Sequence, residues 1–264
     1  MTSTARLAAG VCLLGGLVAC TGPATRPATK PTATAHAPRS PSPQARPLSD
    51  ALVHRRLVLG YSVDHRPITA IERGDPDSPR RVLVVGCIHG NEPAGIAIAR
   101  ALATTAVPPE VDLWVVPDLN PDGLAERTRV NAHGVDLNRN FPYRWTPIGV
   151  PGSSHYAGPR PLSEPESRSL ATLLQSMRPT LGIWYHQALG VVDISQGPPT
   201  LERRYGSSTG LPLRSLTDYP GSAIGFEDHL FGPTAFVIEL LPGTLTHGQV
   251  HRHALTVLAI AERS

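Results

Sequence analysis

Residues 81–104 read RVLVVGCIHGNEPAGIAIARALAT, and this stretch predicts the basic unit of the fold. RVLVVGC, 81–87, is a continuous apolar run, which is typical of a strand buried on both faces of a sheet. EPAGIAIARALAT, 92–104, is predicted as the helix that follows it. The turn between them carries His89 and Glu92, a base and an acid at the end of the strand.

Further apolar runs predict the other strands of a sheet. They lie at 111–117, 181–186 and 234–241, and two short strands are expected within 55–74 around a turn. Because strands alternate with helices, the sequence predicts a single α/β domain with a mixed, largely parallel, twisted sheet and helices on both faces. Functional sites of such folds gather at the C-terminal ends of the strands, where the sequence also places His186.

Two later segments carry helix signals. Ser163 and Glu166 have the spacing of a capping box, with Pro165 in the first turn, at the start of a helix that ends near Met177. Residues 246–263 are predicted as an amphipathic helix that closes the domain. Its histidines lack a nearby third ligand, so they are expected at the surface rather than in a second metal site.

The composition excludes one class of partner. Of the 264 residues 41% are hydrophobic, which is enough for a core, and the formal net charge is only +3. The positive excess is concentrated between Thr21 and Leu48, and the rest of the chain is close to neutral. Without a basic run or patch, we expect no binding of nucleic acid.

Residues 1–19 have the features of an export signal. Arg6 precedes an apolar segment that is too short to span a bilayer, and LVAC at 17–20 resembles a bacterial lipobox. We expect cleavage before Cys20, a lipid on that cysteine, and an extracytoplasmic domain anchored to the membrane. An ordinary signal peptide with a chance cysteine is the alternative. Cys87 then remains without a disulfide partner and is expected to be a buried core residue.

Residues 20–48 are rich in proline, threonine and alanine and contain almost no large apolar side chain. Such a segment cannot bury enough surface to fold, and proline biases it towards extended conformations. It is predicted to be a disordered linker that lifts the domain from a membrane. The folded domain is expected at 49–264.

Two distant parts of the chain offer ligands for a catalytic zinc ion. His89 and Glu92 provide two from one turn, where Gly90 lets the backbone curl, and His186 is the candidate for the third. An HxxE pair also arises by chance, and a histidine beside aromatic residues can simply be packed. Glu239 stands in the apolar run TAFVIELL, where a buried carboxylate needs a strong partner such as water activated by a metal ion. A solvent-facing strand position is the other interpretation of this glutamate.

Residues 118–162 form a polar segment that is too long for an idle connection. Arginines, asparagines and aspartates crowd its section NPDGLAERTRVNAHGVDLNRNFP, 120–142. Guanidinium groups suit bidentate recognition of a carboxylate, so this segment is a candidate for substrate binding. A merely solvated loop is the alternative.

Together these motifs resemble the zinc metallocarboxypeptidase family. The resemblance rests on HGNE at 89–92, NPDG at 120–123, TRVNAHGVDLNRNFP at 128–142 and the glutamate of FVIEL, in the same order over about 55–245. The NPDG and DLNRNFP motifs and GPRPLSEPE, 158–166, are most similar to the bacterial murein-peptide amidase branch. The family implies a zinc-carboxypeptidase-like fold and one Zn²⁺ per chain.

The resemblance also implies a role for each matching residue. His89, Glu92 and His186 would bind zinc. Glu239 would act as the general base and then as the acid that protonates the leaving amine. Arg129 would polarise the scissile carbonyl and stabilise the oxyanion.

Other matching positions concern the substrate. Asn138 and Arg139 would hold the carboxylate next to the scissile bond on the leaving-group side, and Asp136 would support a zinc-binding histidine. Tyr219 is the candidate for the family's tyrosine that closes over the substrate, although its local pattern is not close. Gln187 follows the third ligand, where digestive carboxypeptidases have a serine, so their specificity does not simply transfer.

The wall of the specificity pocket is expected within 222–229. Glu227 and Asp228 in this segment could meet the amino group of a diaminopimelate side chain. An acidic pair at a solvated helix end is the alternative.

The sequence therefore predicts a zinc-dependent amidase of the cell envelope that acts on a peptide substrate. The γ-D-glutamyl–meso-diaminopimelate bond of murein peptides is the favoured target. The alternatives are a general metallocarboxypeptidase, an N-acyl amino acid deacylase of the aspartoacylase type, and an inactive wall-binding module. NPDG and the SEPE helix argue against the deacylase, and the complete set of ligands with Glu239 argues against the inactive module.

Overall fold

The predicted alternation of strands and helices is present in the computed structural model, which describes residues 52–195 and 199–264. The strands are β1 Val53–Tyr61, β2 Pro67–Gly74, β3 Arg81–Val85, β4 Asp112–Val116, β5 Leu181–Gln187, β6 Val191–Asp193, β7 Leu213–Arg214 and β8 Ala235–Leu240. The helices are α1 Ala94–Leu102, α2 Pro121–Glu126, α3 Pro165–Met177, α4 Thr200–Thr209, α5 Ala223–Phe231 and α6 His247–Ala261, with a 3₁₀ turn at Leu137–Arg139. The predicted signal peptide at 1–19, the lipidation site Cys20 and the linker at 20–48 lie outside the described residues.

The strands form one mixed sheet in the order β1-β2-β4-β3-β5-β8-β6-β7. Its centre is parallel, because β3 pairs with β4 and β5, and β5 pairs with β8. Antiparallel strands flank this centre on both sides. The prediction of a single α/β domain with a mixed, largely parallel sheet is confirmed. The register places His186 of β5 beside Glu239 of β8, so these two predicted site residues are neighbours.

Helices cover both faces of the sheet, which explains why the central strands are apolar without alternation. In β3, Val82 and Val84 belong to the core that α1, α4 and α6 close. Leu83 and Val85 point to the opposite core, which α3 and α5 close. Among the described residues, no helix combines the length and the apolar composition needed to cross a bilayer.

The predicted capping box at the start of α3 is wrong. The N-cap is Glu164, with no capping side-chain hydrogen bond, and Ser163 Oγ donates to the carboxylate of Glu164 instead. Glu166 is fully buried and accepts hydrogen bonds from the side chain of Asn131 and the main chain of Val63. The glutamate therefore holds the long polar segment against the domain rather than capping its own helix.

Several short elements were not predicted. Helix α2 begins at the NPDG motif within the polar segment, where Asn120 accepts a hydrogen bond from Gly123 N at 2.9 Å as the N-cap.

The prediction that the histidines of the last helix lie at the surface is wrong for His253, which is buried. Its Nδ1 lies 2.6 Å from the hydroxyl of Tyr205, which lies 2.8 Å from the hydroxyl of Tyr185. This chain of contacts ties α6 and α4 to β5 next to the third predicted ligand.

Glu227 of α5 is fully buried beneath the sheet. Its Oε2 accepts a hydrogen bond of 2.7 Å from Trp184 Nε1, and its Oε1 has no hydrogen-bond partner among the described residues. Gly182 makes room for it, because a Cβ there would lie 2.1 Å from Oε1. Burial raises the pKa of Glu227 to about 8, and the charge of Asp228 adds to the shift. The carboxyl group is therefore held in its neutral form at neutral pH.

We expect Glu227→Gln to stabilise the protein at about pH 8 and to have little effect near pH 4.5. The folded-state pKa of Glu227 lies above its unfolded-state value. Its contribution to the free energy of unfolding is therefore full below the unfolded-state pKa and is lost as the pH rises towards 8. Glutamine can still accept a hydrogen bond from Trp184 but does not ionise. The free energy of unfolding at about pH 8 should therefore increase by an amount on the order of a few kcal/mol. Urea unfolding of both proteins across this range, with the exposed Glu262→Gln as the control, measures it. A stability difference that stays constant with pH would contradict a buried, neutral Glu227.

Candidate metal and catalytic site

Three side chains from two segments converge at the C-terminal edge of the sheet. Glu92 Oε2 lies 3.0 Å from His89 Nδ1 and 3.0 Å from His186 Nδ1, and the two nitrogens are 3.1 Å apart. The ligand atoms of a tetrahedral zinc ion, at about 2.0–2.1 Å from the metal, are separated by roughly 3.3 Å. The predicted ligands are thus brought together with the spacing of one face of a zinc coordination sphere.

A hydrogen bond orients the first histidine for metal binding. His89 Nε2 lies 3.1 Å from Asp136 Oδ1, which places the proton on Nε2 and leaves Nδ1 with a lone pair that points to Glu92. Burial alone would raise the pKa of the Asp136 carboxyl. The hydrogen bond with His89 and the charges of Arg129 and Arg139 outweigh burial and hold this pKa well below its usual range. The predicted supporting role of Asp136 therefore has the contact it requires.

Close packing, rather than an unusual backbone angle, explains Gly90 between the two ligands. A Cβ at Gly90 would lie 1.9 Å from the carbonyl carbon of Gly123 in α2. The side chain of Asn120 reinforces this contact by donating to Ile88 O and to Arg129 O. The NPDG motif thus presses the ligand turn into place and joins it to the arginine segment. This close approach is a steric reason for glycine at position 90, in a turn that Glu92 N closes by donating to His89 O.

Arg129 lies against the ligand set. Its Nη1 donates to Glu92 Oε1 at 3.0 Å and its Nε donates to Asp136 Oδ2 at 2.9 Å. Within the described residues Nη2 makes no hydrogen bond, and the side chain lines the cavity above the ligands. This leaves one guanidinium edge for a substrate oxygen.

Glu239 lies on the neighbouring strand and lines the same cavity of about 410 Å³. It is half-buried, and its Oε2 accepts a hydrogen bond of 3.4 Å from Leu189 N. Burial raises the pKa of Glu239, and the charge of His186 opposes the shift in part. The structure thus places this glutamate neither in the core nor on the solvent face, but at the wall of the cavity beside the ligands.

The predicted carboxylate-binding pair also lines this cavity. Asn138 Oδ1 accepts a hydrogen bond from Ala223 N at 2.9 Å. The NH₂ group of the same side chain therefore remains available as a donor to a ligand in the cavity. Arg139 is buried and has no carboxylate within ion-pair distance among the described residues. The exposed ring of Tyr219 lies over its guanidinium, with Cζ 4.1 Å from the ring centroid. A buried cation with no acidic partner is suited to bind an anionic group of a ligand.

The acids predicted in the pocket wall are not there. Ser222 and Ile224 of the predicted segment line the cavity, but Glu227 is buried in the core and Asp228 accepts from Thr234 N and Ala235 N instead. The hypothesis that either acid meets a substrate amino group is therefore wrong.

Three residues of the site escaped the sequence analysis. Their common feature is that each follows a matching motif without belonging to one: His155, Gln187 as a structural residue, and Asp193. His155 Nδ1 lies 3.4 Å from Asp136 Oδ2. Strand order brings Gln187 and Asp193 to the cavity, and the fold of the long polar segment brings His155 there, so a local pattern carried no signal for them.

Gln187 joins the segments that carry the site. Its Oε1 accepts from Ala94 N at the start of α1, and its Nε2 donates to Leu241 O and Gly243 O after β8, each at 2.9 Å. Its main-chain N donates to Glu92 Oε2 at 3.2 Å. This side chain therefore ties the turn with two ligands, the strand with the third and the segment after Glu239 to one another.

Comparison with known proteins identifies the class. Residues 51–195, more than half of the chain, match the zinc carboxypeptidase family, and the chain belongs to this family. The family is that of the zinc carboxypeptidases, and membership implies a zinc cofactor. The convergence of His89, Glu92 and His186 in this structure fits that metal.

The relatives include members of the murein peptide amidase branch and carboxypeptidases. Murein peptide amidase A of Vibrio campbellii is 34% identical over 160 residues, which are 55% of this chain and 64% of that protein. The chain spans less than two thirds of the length of the first curated relatives it matches. The murein-tripeptide amidase of Escherichia coli O157 has a similar fold, with a TM-score of 0.62 at 23% identity over 82% of this chain and 96% of that one. Carboxypeptidase A of Helicoverpa armigera also has a similar fold, with a TM-score of 0.69 at 18% identity over 80% and 68%.

We expect Gln187→Ala to weaken zinc binding by roughly 10- to 100-fold without unfolding the domain, because groups that orient metal ligands contribute on this scale. Competition with a chromophoric chelator measures the affinity, and circular dichroism checks the fold. Gln175→Ala, an exposed position on α3, is the matched control and should bind zinc as the wild type does. Wild-type affinity in Gln187→Ala would show that the ligands hold their positions without this side chain.

Proposed function

We propose that this protein hydrolyses an amide bond next to a free carboxylate in murein peptides, at the γ-D-glutamyl–meso-diaminopimelate bond. One observation carries the proposal. A single cavity is lined by the three metal ligands, by Glu239 and by the buried, acid-free guanidinium of Arg139. Similarity to the Vibrio relative, a murein peptide amidase, supports the choice of substrate.

The bound metal ion and Glu239 have different roles in the reaction. When bound, zinc supplies a Lewis acid that polarises a carbonyl group and lowers the pKa of water. Glu239 takes a proton from the attacking water and gives it to the amine as the C–N bond breaks. Its raised pKa suits a group that must accept and then donate a proton near neutral pH.

Two arginines and the side-chain amide of Asn138 orient the substrate. Arg129 Nη2 stabilises the oxygen on which negative charge develops, an arrangement worth a few kcal/mol per donor. Asn138 Nδ2 and the guanidinium of Arg139 bind the free carboxylate of the leaving residue. Tyr219, which covers Arg139, closes over that residue from the solvent side.

The test is product analysis with the zinc-loaded enzyme. Incubation with the murein tripeptide L-Ala-γ-D-Glu-meso-diaminopimelate should release free diaminopimelate. Peptides with ordinary C-terminal L-residues and an N-acyl amino acid should be poor substrates. Preference for the ordinary peptides would favour a general carboxypeptidase, preference for the N-acyl amino acid a deacylase, and no turnover of any substrate an inactive module.

The same assay tests the proton-transfer residue. Glu239→Gln should keep its zinc content and lose turnover by roughly 100-fold or more, because it removes the proton acceptor and leaves the ligands intact. Elemental analysis gives the zinc content, and the exposed Glu262→Gln serves as the control. Activity within tenfold of the wild type would remove Glu239 from this role.

We also propose that the enzyme is exported and anchored to the membrane through a lipid on Cys20. The support is the LVAC motif at 17–20 and the proline-rich segment after it. Cys20→Ser should shift the protein from the membrane fraction to the soluble fraction. Cys12→Ser, a change within the signal itself, should leave it in the membrane fraction. Retention of Cys20→Ser in the membrane would require another anchor.

A further inference from the structure

Asp193 is the acidic residue that the fold brings to the cavity in place of the two acids predicted there. It ends β6, whose neighbour in the sheet is β8, and Val191 of β6 pairs with Glu239. The side chain is buried, with 7% of its surface exposed, and it lines the same cavity as Glu239 and Arg139.

The contacts of Asp193 neutralise none of its charge. Its Oδ1 accepts from Ser195 N at 2.9 Å and from Leu216 N at 3.0 Å, and its Oδ2 accepts from Ser195 Oγ at 2.7 Å. All three donors are uncharged. No arginine, lysine or histidine of the described residues lies within ion-pair distance of it. These hydrogen bonds stabilise the carboxylate, and a cationic ligand group would add a charge-assisted hydrogen bond to it.

The remaining walls near Asp193 define the shape of such a group. Leu216, Ile224 and Val237 line the cavity with apolar side chains. Val237 precedes Glu239 by two positions on β8, so both side chains point to the same face of the sheet. An aliphatic chain that ends in an ammonium group fits apolar walls that lead to a carboxylate.

We propose that Asp193 is a specificity residue that binds a protonated amino group on the side chain of the released residue. The inference rests on the proposed function, because it assumes that the carboxylate of the same residue is bound at Arg139. Together the two buried charges select a leaving residue with one carboxylate near the scissile bond and one ammonium group at the end of an aliphatic side chain. The diaminopimelate of the murein peptide has both.

Two substrates separate charge recognition from general damage to the site. One is the meso-diaminopimelate tripeptide, and the other is the same tripeptide with 2-aminopimelate, which keeps the distal carboxylate but lacks the distal amino group. The variant is Asp193→Asn, because asparagine can still accept from Ser195 N and Leu216 N. Asp218→Asn is the control, since that cavity carboxylate is already paired with Arg144 at 2.7 Å.

Asp193→Asn should lower kcat/KM for the diaminopimelate tripeptide by roughly 10- to 100-fold, as expected for a lost hydrogen bond between charged groups. It should leave kcat/KM for the 2-aminopimelate peptide within about twofold. Asp218→Asn should change both substrates by the same factor. An equal loss on both substrates in Asp193→Asn, or no loss on either, overturns the proposal.

A binding measurement keeps this test independent of the proposed reaction. Calorimetry gives the affinities of free meso-diaminopimelate and 2-aminopimelate for the zinc-loaded wild type and Asp193→Asn. If neither tripeptide is hydrolysed, the proposed substrate fails. Tighter binding of diaminopimelate that is lost in Asp193→Asn would still support the role of Asp193, and equal binding of the two compounds would overturn it.

Discussion

The carboxylate of Glu92 is the group on which the rest of the site depends. Its Oε2 lies 3.0 Å from a ring nitrogen of His89 and of His186 and accepts from Gln187 N, while its Oε1 accepts from Arg129. Burial opposes ionisation of this carboxyl, but hydrogen bonds with the two histidines outweigh it and hold the pKa of Glu92 well below its usual value. One side chain therefore fixes two other segments, β5 and the segment that carries Arg129, relative to the turn that holds His89 and Glu92.

The fold and the metal ligands could be predicted because their signals are local or follow from strand order. The apolar run at 81–87 specifies a strand buried on both faces, whatever surrounds it. Since parallel strands end at the same edge of a sheet, His89 after β3 and His186 in β5 meet although they are far apart in sequence. Glu239 joins them because β8 pairs with β5.

The polar residues away from these motifs could not be predicted, because their roles depend on tertiary partners. The spacing of Glu166 fits a capping box, yet its carboxylate binds Asn131 of another segment. Nothing local distinguishes Glu227, which is buried against Trp184, from an acid at a solvated helix end. Gln187 is a further case, since its hydrogen-bond partners belong to α1 and to the segment after β8.

The distribution of buried charge is the basis of the proposed preference between the two peptide-cleaving functions. The proposed role of Arg139 requires a free carboxylate beside the scissile bond, and the substrate of a general carboxypeptidase has this group as well as that of an amidase. The role proposed for Asp193 adds the requirement for a positive group, which C-terminal residues with neutral side chains do not supply. Burial of an acid is not sufficient for this argument, because Glu227 is also buried but stays neutral and lies outside the cavity. Asp193 differs from Glu227 because it lies in the cavity wall and its hydrogen-bond partners carry no charge, and the proposed role follows from this: the substrate supplies the cation.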